Sequence, residues 1–302
     1  MMDGGMKIVA PSDIYKKFKK TIRKYKLIEK DDKILLAVSG GKDSITMLYL
    51  FSFLKKEFKF DFEVVHINLG IDNFSKISEE IVKEHCQNLD IKYNIVYLKE
   101  YGFTIKDIAK NIHLFKGRSI CGICSTIKRY LIHKFARDNG FNKVATAHTL
   151  EDFVRFILDF YIDGDIKVLT RTYPKTRSEI TNIEFIKPLF LISEKETESF
   201  VKRNELKVVS IECPFSKKKI STNLRIAEGI EKLKPRSKEK IVLNFIKYIY
   251  PELSKKYLKE LNIKPCKICG MPTLREICSF CRIRAIFDSE FRKKFFERTK
   301  NT

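Results

Sequence analysis

Short apolar segments alternate with longer amphipathic ones along the first two thirds of the chain. The apolar segments are bounded by turn residues or helical patterns, as is typical of strands buried in a sheet, and they fall at 33–39, 62–69, 92–98, 143–148 and 184–189. The amphipathic segments predict helices at 12–28, 43–56, 75–90, 125–139, 150–162 and 193–204. Strand and helix in alternation predict an α/β fold, a parallel twisted sheet with helices on both faces.

The pattern changes after Cys213. We predict a basic, helical stretch over 216–262 with turns near Pro235 and Pro251, then a cysteine-rich segment and a short basic, Phe-rich tail. Four units are therefore predicted: a basic N-terminal helix at 1–30, an α/β catalytic domain at 31–215, a basic helical region at 216–263, and a finger with its tail at 264–302.

The net charge of the chain indicates what kind of partner the protein binds. The 302 residues include 60 Lys+Arg against 38 Asp+Glu, a net charge of +22, and 44% of residues are hydrophobic. In a globular protein, an excess of positive charge this large indicates a polyanionic partner, above all nucleic acid. The less favoured alternative is a lysine-rich surface that is only solvated. No apolar run approaches the roughly 18–20 residues of a membrane span, and the N-terminus lacks the apolar region of a signal peptide. We predict a cytoplasmic protein without a membrane segment.

The predicted first helix concentrates this charge. Seven basic residues and no acids lie between Lys16 and Lys26, opposite a face formed by Ile14, Phe18 and Ile22. A docked helix with a solvated face and a contact to RNA phosphates are equally good interpretations.

The segment SGGKDS, Ser39 to Ser44, follows the first predicted strand and opens a helix. Gly40 and Gly41 permit a tight turn with exposed amides, and the helix start adds free N–H groups and a positive dipole end. Lys42 supplies a full charge, and the two serines supply hydroxyl donors. The string is not the Walker sequence G-x-x-x-x-G-K-[ST], but it predicts a phosphate-binding loop.

This loop resembles the PP-loop of ATP pyrophosphatases, which split ATP into AMP and pyrophosphate and adenylate an oxygen of their substrate. Further strings follow in order: CGICSTIKRYL, ATAHTLEDF, IKPLF…EKE and ECPFS. Over residues 33–240 the series resembles the TtcA/TtuA group of tRNA 2-thiolation enzymes, and the C-terminal cysteines make the TtuA side closer. The resemblance implies an adenine nucleotide alpha-hydrolase-like fold with ATP and Mg²⁺ on the loop, and Ala37, Asp43 and His66 among the nucleotide contacts.

The middle cysteines, Cys121 and Cys124 in CGIC, are too few for a zinc site by themselves. Cys213, which stands beside a proline outside regular structure, is a better third partner than Cys86, which falls within a helical pattern typical of the core. Three thiolates can hold a [4Fe–4S] cluster and leave one iron without a protein ligand. In the resembled family three cysteines at these positions do so, and the open iron can carry sulfide. A zinc half-site and persulfide or disulfide chemistry stay as alternatives.

Lys128 and Asp152 are the candidate catalytic side chains, and the resemblance places both near the nucleotide and the reacting base. Lys128 lies one helical turn after Cys124, so it could stabilise negative charge on phosphate or base. Asp152 could bind Mg²⁺ or assist proton transfer. For each residue, an ordinary surface charge is the alternative.

Two departures from the family stand out. The string AHTLED has Ala147 in place of a glycine and Glu151 in place of the first acid of a GHNLDD-like pattern, which changes the approach to ATP. We favour a helix-capping role for His148 over a nucleotide contact. No cysteine precedes Cys86, so the N-terminal finger of TtuA relatives is missing, and the basic helix at 12–28 is a candidate replacement.

The C-terminal cysteines form a complete set. Their spacing is C-x2-C-x8-C-x2-C, at Cys266, Cys269, Cys278 and Cys281. Four thiolates in two pairs predict a structural, tetrahedral Zn²⁺ site. Arg275, Arg282 and Arg284 flank the set, so the finger is also a candidate RNA contact.

The resemblance implies an ATP-dependent tRNA sulfurtransferase that adenylates the C2 oxygen of a uridine and replaces it with sulfur delivered at the [4Fe–4S] cluster. The sulfur donor is either sulfide or a thiocarboxylated ubiquitin-like protein, and a homodimer is an open option. Two alternatives remain at this point: a PP-loop nitrogen-transfer enzyme of the lysidine synthetase or amidotransferase kind, and a non-catalytic RNA-binding zinc protein.

Overall fold

The computed structural model describes residues 12–164, 169, 172–216, 222–257 and 262–300. Residues 1–11 and 301–302 of the predicted terminal segments lie outside the described residues, and with them most of the N-terminal stretch that is expected not to be a signal peptide. Within the described ranges, no helix is both long and apolar enough to cross a membrane.

A six-stranded sheet with the order β3-β2-β1-β4-β6-β5 forms the centre of the molecule. Its strands are β1 Lys33–Ala37, β2 Asp61–Asn68, β3 Tyr93–Tyr97, β4 Lys143–Ala145, β5 Lys175–Arg177 and β6 Glu184–Ile186. The five predicted strands are all present and pair in parallel. The sequence pattern missed β5, which pairs antiparallel with β6 at the edge, because three mostly polar residues carry no strand signal.

Helices cover both faces of this sheet, as the α/β pattern predicts. They are α1 Ser12–Tyr25, α2 Lys42–Lys55, α3 Asp72–Asn88, α4 Ile105–Lys110, α5 Ile120–Asp138, α6 Leu150–Asp163 and α7 Glu194–Arg203. The basic helix α1 buries Ile14, Phe18 and Ile22 in the core on one face, where Phe18 contacts Phe51 of α2. Its apolar stripe thus docks it on the domain, while its lysines face outward.

The basic helical region packs on α6. It consists of α8 Thr222–Leu233, α9 Ser237–Asn244, a π-helical turn Phe245–Ile249 and α10 Tyr250–Tyr257. The turn predicted at Pro235 is present between α8 and α9. The turn predicted at Pro251 is wrong, because the chain stays helical through the π-turn and Pro251 is the second residue of α10.

The C-terminal segment forms a two-stranded hairpin, β7 Lys264–Pro265 with β8 Pro272–Thr273, followed by α11 Ser279–Phe287 and α12 Ser289–Lys300. It shares one apolar core with the α/β domain, since Phe280 and Ile283 pack in the same cluster as Ile127 and Leu131 of α5. The ring of Phe280 stacks on Tyr130 of α5 with centroids 3.8 Å apart and planes 7° apart. The finger is therefore docked directly on the helix that carries Cys121 and Cys124.

Candidate functional site

The loop Ser39–Ser44 lies at the carboxyl edge of β1, where open α/β sheets bind ligands. Hydroxyl groups fix its shape: the Ser39 amide donates to Ser44 Oγ at 3.2 Å, and Ser44 Oγ donates to the Gly41 carbonyl at 2.9 Å. Gly41 is the N-cap of α2 and provides no side-chain cap, so the amides of the first turn keep their donor capacity. The loop and helix end therefore offer the donors that a phosphate needs.

The backbone conformation and the close neighbours of residue 40 require a glycine there. Its φ is +85°, and a Cβ there would lie 2.9 Å from Val209 Cγ2 and 3.2 Å from the Ser78 carbonyl oxygen. A side chain would therefore be strained in the backbone and would also clash with two neighbouring segments. The glycine lets the loop fold closely under whatever occupies its concave side.

Lys42 brings the positive charge of the loop. Its ammonium lies 3.0 Å from carboxylate oxygens of both Asp43 and Glu194. Desolvation lowers the pKa of Lys42, but Asp43 and Glu194 outweigh it and raise the pKa overall, so the group stays charged. Asp43 is itself held by Thr197 Oγ1 at 2.5 Å. A cation and two carboxylates at a phosphate loop are the groups that a Mg²⁺-bound triphosphate would meet.

His66 lies beside the loop, near the carboxyl end of β2, and is buried. Its Nδ1 lies 2.9 Å from the Val38 carbonyl oxygen, which can only accept, so Nδ1 carries the proton. Its Nε2 is buried without a hydrogen-bond partner among the described residues. Desolvation lowers the pKa of His66, so the ring is neutral and Nε2 is a free acceptor. A buried hydrogen-bond acceptor of this kind fits a hydrogen-bond donor of the nucleotide, and the half-buried Ala37 lies next to it.

The segment after α7 connects this loop to the middle cysteines. The Val209 amide donates to the Gly40 carbonyl at 3.0 Å, and the chain then runs on to Cys213. The Cys121 thiol donates to the Phe215 carbonyl at 3.3 Å, which brings Cys213 beside the CGIC helix. Cys213 and the CGIC pair, from two distant chain segments, are thus neighbours, and the segment that carries Cys213 also bonds the phosphate loop.

The three thiols are more open than those of a tight single-ion site. Cys121 is exposed, and Cys124 and Cys213 are half-buried. Burial raises the pKa of Cys124, Lys128 opposes this, and the neighbouring thiols of Cys213 and Cys121 raise it further. Among the described residues, only the C-terminal four meet within the 4.8 Å that one ion allows. Three converging thiols at wider spacing fit a polynuclear iron–sulfur cluster better than one tetrahedral ion.

The sequence pattern placed Cys121 and Cys124 at or before a helix start. In the structure both lie inside α5, which begins at Ile120 with Ser119 as its N-cap. The Ser119 side chain accepts a hydrogen bond from the Gly122 amide at 3.1 Å. Lys128, one turn further along α5, is exposed and forms no ion pair with any residue that the structure describes. Its ammonium is therefore free to meet a substrate beside the thiols.

Asp152 forms structural hydrogen bonds that the sequence analysis did not predict. Its Oδ2 accepts from the Thr149 amide at 3.1 Å, which makes it the N3 residue of a capping box on α6. Its Oδ1 accepts from Arg155 at 3.0 Å. Thr149, and not His148, is the helix cap. Burial lowers the pKa of His148 to about 4, and its ring lies within electrostatic reach of Asp152 and Lys187.

Glu151, the departure from the family pattern, is a structural link. One carboxylate oxygen accepts from Lys238 of α9 at 2.8 Å, and the other accepts from the Glu194 amide at the start of α7 at 2.9 Å. Only 7% of its side chain is exposed, so a carboxylate without these partners would be costly. The longer acid ties the basic helical region to the edge of the site.

Lys187 is the site residue that sequence reasoning missed. It follows β6 at the same carboxyl edge, and its ammonium donates to the Tyr173 carbonyl at 2.8 Å. Burial lowers the pKa of Lys187 to about 8. The string IKPLF belongs to the motif series of the resembled family, but a lysine beside a proline carries no local sign of this environment.

The C-terminal four thiols form a compact site. Their sulfur atoms all lie within 4.8 Å of one another. Gly270, with φ +72°, donates its amide to the Cys266 carbonyl at 2.8 Å, and the Cys278 amide donates to Cys266 Sγ at 3.2 Å. Backbone turns that direct amides at sulfur stabilise thiolates, so the donor set fits one tetrahedral metal ion.

Comparison with known proteins agrees with this geometry. A model of the PP-loop domain matches residues 11–213. The tRNA-5-methyluridine(54) 2-sulfurtransferase of Pyrococcus horikoshii is 34% identical over 88% of this chain and 83% of its own, and that of Thermotoga maritima is 31% identical over 90% and 86%. The U34-tRNA thiolase NcsA from Methanococcus maripaludis, solved with its [4Fe-4S] cluster, superposes with a TM-score of 0.71 at 26% identity over 89% of this chain and 86% of its own.

The matched PP-loop domain covers two thirds of the chain, and the similarity to the two sulfurtransferases covers 88–90% of it. The resemblance found in the sequence motifs is thus confirmed by whole-chain similarity as well as by fold. The chain belongs to the PP-loop family and, within it, to the TtcA/TtuA group of tRNA 2-thiolation enzymes.

Proposed function

We propose that this protein is an ATP-dependent tRNA 2-thiouridine synthetase. The observation that carries the proposal is the physical link between two half-sites. The Val209 amide bonds Gly40 in the phosphate loop, and four residues later the same segment supplies Cys213 to the middle thiols. Activation of a base by ATP and its reaction with sulfur must occur at one carbon atom, so the two half-sites need this proximity.

The phosphate loop binds the nucleotide. The uncapped amides of α2 and the ammonium of Lys42 face the phosphates, with Mg²⁺ as the metal of the Mg–ATP substrate and Asp43 and Glu194 as its nearest carboxylates. The neutral His66 accepts a hydrogen bond from the nucleoside part through Nε2.

The first chemical step is adenylation. The C2 oxygen of the uridine attacks the α-phosphorus, the bond to the β-phosphate oxygen breaks, and pyrophosphate leaves. Negative charge grows on the phosphoryl oxygens, and Lys128, which forms no ion pair with a described residue, is a cation that α5 presents beside the thiols. Asp152 keeps the α6 start in place through its capping box, so its part in this proposal is to position Thr149.

The second step exchanges oxygen for sulfur. When bound by Cys121, Cys124 and Cys213, a [4Fe–4S] cluster supplies an iron without a protein ligand, where a sulfide equivalent can be held. The base must leave its stack to reach this place. Sulfur bonds to C2, the C2–oxygen bond breaks, and AMP leaves with the oxygen.

The names of the relatives indicate which tRNA position is modified. The two sulfurtransferases with 31–34% identity are named for 5-methyluridine 54, so we take that uridine as the target, in cytoplasmic tRNA. The sulfur donor is sulfide or a thiocarboxylated carrier protein. Zn²⁺ occupies the C-terminal four thiols. The assembly we propose is a homodimer. Nitrogen transfer is less favoured, since it gives no use to three converging thiols.

The test is anaerobic incubation of the purified protein with Mg–ATP, sulfide and unmodified tRNA transcript, followed by nucleoside mass spectrometry and mapping of the modified position. We expect 2-thiouridine at position 54 with one AMP formed per sulfur incorporated, and light scattering at the mass of a dimer. AMP formation without any thionucleoside would contradict sulfur transfer. An iron-free protein with full activity would contradict the cluster.

A further inference from the structure

The outward face of helix α1 carries a row of positive charge that no step of the proposed chemistry uses. Ile14, Phe18 and Ile22 of α1 are buried in the core, so the opposite side of the helix faces solvent. The single acid of α1, Asp13, lies in its first turn. The residues on the outward side are all cations, and they line an open groove of about 620 Å³: Lys16, Lys19, Lys20, Arg23 and Lys24.

Acids of the domain neutralise the two flanks of this face and leave its centre uncompensated. On one flank Lys17 lies 3.0 Å from Glu196 of α7, and on the other Lys19 lies 2.5 Å from Glu57. The second oxygen of Glu57 accepts a hydrogen bond from the Tyr15 hydroxyl at 2.8 Å, so both of its oxygens are engaged. Within the described part of the chain, the four exposed cations between the flanks form no ion pair: Lys16, Lys20, Arg23 and Lys24.

A second groove shows how lysines are arranged on a surface that is only solvated. It has a similar volume, about 580 Å³, and lies at the amino edge of the sheet. Acids alternate with its lysines, and ion pairs join Lys55 to Asp61 at 3.3 Å and Lys92 to Glu63 at 2.8 Å. Mixed charges keep a surface soluble without giving it a strong field of one sign. The groove on α1 has one sign only, so it suits an anionic ligand.

The spacing of the cations indicates which anion. Lys16, Lys20 and Lys24 recur every four residues, so they form one line along α1 with a rise of about 6 Å per step. Like charges in such a line destabilise a helix unless anions lie against them. Successive phosphates of a nucleic-acid strand are spaced by a similar distance. We propose that this face of α1 binds successive backbone phosphates of the tRNA. The inference rests on the proposed function, because it names a contact to the same substrate.

Helix α1 and the middle thiols lie on opposite faces of the sheet. Along β1, Ile34 and Leu36 pack in the cluster that includes the apolar side of α1, whereas Leu35 packs in the cluster that includes α5. A ligand that contacts α1 and also reaches the thiols must therefore extend around the sheet. A folded RNA is large enough to do so, and a free phosphate ion is not.

The start of α1 lies at the carboxyl edge of the sheet, close to the phosphate loop. Glu196, the partner of Lys17, is in the first turn of α7. Glu194 in the same turn lies 3.0 Å from Lys42 of the phosphate loop. RNA bound along α1 therefore leads toward the edge where ATP is bound, and beyond that edge lie the thiols. The helix holds the body of the tRNA, and other residues position the target base.

The test measures filter binding of an unmodified tRNA transcript over a range of salt, without ATP or sulfur. The variant is K16Q/K20Q/K24Q, which keeps the helix because lysine and glutamine have similar helix propensities. The matched control, K33Q/K56Q/K92Q, removes the same charge from the second groove. For the variant we expect at least a tenfold loss of affinity and a slope of log K against log salt that is shallower by about 3. For the control we expect less than a threefold loss.

Steady-state thiolation gives a second readout. Phosphate contacts on α1 bind the tRNA equally in the ground state and the transition state, so the variant should raise KM for tRNA at least tenfold. Its kcat at saturating tRNA should stay within about twofold, and KM for ATP should not change. A lower kcat with an unchanged KM for tRNA would contradict a binding role.

An unchanged affinity and slope, or an equal loss in the control, would overturn the proposal. A variant that binds tRNA normally but no longer accepts sulfur from an acidic carrier protein would also overturn it, in favour of a protein-docking surface. The melting temperature checks the fold of the triple variant. If it falls, K20Q alone should make the salt slope shallower by about 1, and a wild-type slope for K20Q would sink the idea.

The outcome also separates this inference from the proposed function. Wild-type protein that neither binds nor thiolates tRNA would defeat the proposed function itself. Wild-type protein that does both, with a triple variant that does both equally well, would defeat only the phosphate contacts of α1.

Discussion

The same C-x-x-C spacing occurs in two regions of this protein and leads to opposite environments. At Cys121 and Cys124 the pair lies in the first turns of a helix, is partly exposed, and gains one thiol from a distant loop. At Cys266 to Cys281 two pairs close on each other within 4.8 Å and are mostly buried. Spacing alone therefore does not determine the role of a cysteine pair. The number of thiols that the fold brings together, and the access of solvent to them, decide between an open reactive site and a closed structural one.

The largest expected effect breaks the open site. Replacing Cys213 with serine removes the third thiol, and we expect thiolation to fall by about 1,000-fold or more, as for loss of a group essential to chemistry. Iron content should fall while zinc content stays at one per chain. Nucleoside mass spectrometry and metal analysis of the anaerobic protein report both.

Cys86→Ser is the matched control for this loss. Cys86 is fully buried in the core, and burial raises the pKa of its thiol to about 12, so it is not a reactive group. We expect C86S to keep its iron and its activity per folded molecule. Equal iron loss in both variants would show that the open site is not confined to the three thiols.

The second prediction concerns the charge of Lys187, at the carboxyl edge of the sheet. Lys187→Met should lower the rate about 100-fold if its ammonium faces the developing negative charge. The pKa of Lys187 is about 8, so the charged form is present below pH 8 and is lost above it. Wild-type activity should therefore decline as pH rises through 8, and K187M should lack this decline. A matching decline in the variant would assign it to another group.

The same substitution has a predicted effect on stability. Because burial lowers the pKa of Lys187 below the ordinary lysine value, the charged amine opposes folding fully below pH 8, and the cost is relieved as pH rises from 8 toward roughly 10.4. At pH 7, K187M should raise the free energy of unfolding by about 1–3 kcal/mol. Urea titrations at pH 7 and pH 9.5 should show a smaller gain at the higher pH. A destabilised variant would contradict this account.

The third prediction breaks the closed site. Cys281→Ser should release the metal and lower the stability of the finger by several kcal/mol, because metal binding and folding are coupled there. Thiolation should fall only about tenfold, in the range seen when supporting residues of a site are lost. Iron retained in the zinc-free protein is the distinguishing result. Complete loss of iron would mean that the closed site is also needed for the open site to hold its iron.

The smallest expected effect measures the contact between the two regions. Phe280→Ala and Tyr130→Ala each remove a ring from the stack between α11 and α5. The double variant should be more stable than the sum of the single losses by about 1 kcal/mol, the coupling of an aromatic pair. Chemical denaturation of the four proteins provides the cycle. Strict additivity would show that the finger rests on α5 without mutual stabilisation.

Local patterns predicted much of this molecule. Five of the six strands of the central sheet follow from apolar runs, and the phosphate loop follows from SGGKDS at a strand-to-helix junction. The antiparallel strand β5 was missed, because its strand character comes only from its partner β6. The role of Asp152 in a helix cap was missed too, although Thr149 followed three residues later by an acid is a known cap pattern.

The sequence by itself determined which groups this protein can use: a glycine loop with a lysine, eight cysteines of which six form three C-x-x-C pairs, and an excess of positive charge. These depend on residues close together in the chain, so spacing reveals them. Only the tertiary structure decided that Cys213 joins Cys121 and that the half-buried Lys187 lies at the sheet edge. Their partners are far apart along the chain, and packing of α5 against the 206–216 segment brings the cysteines together.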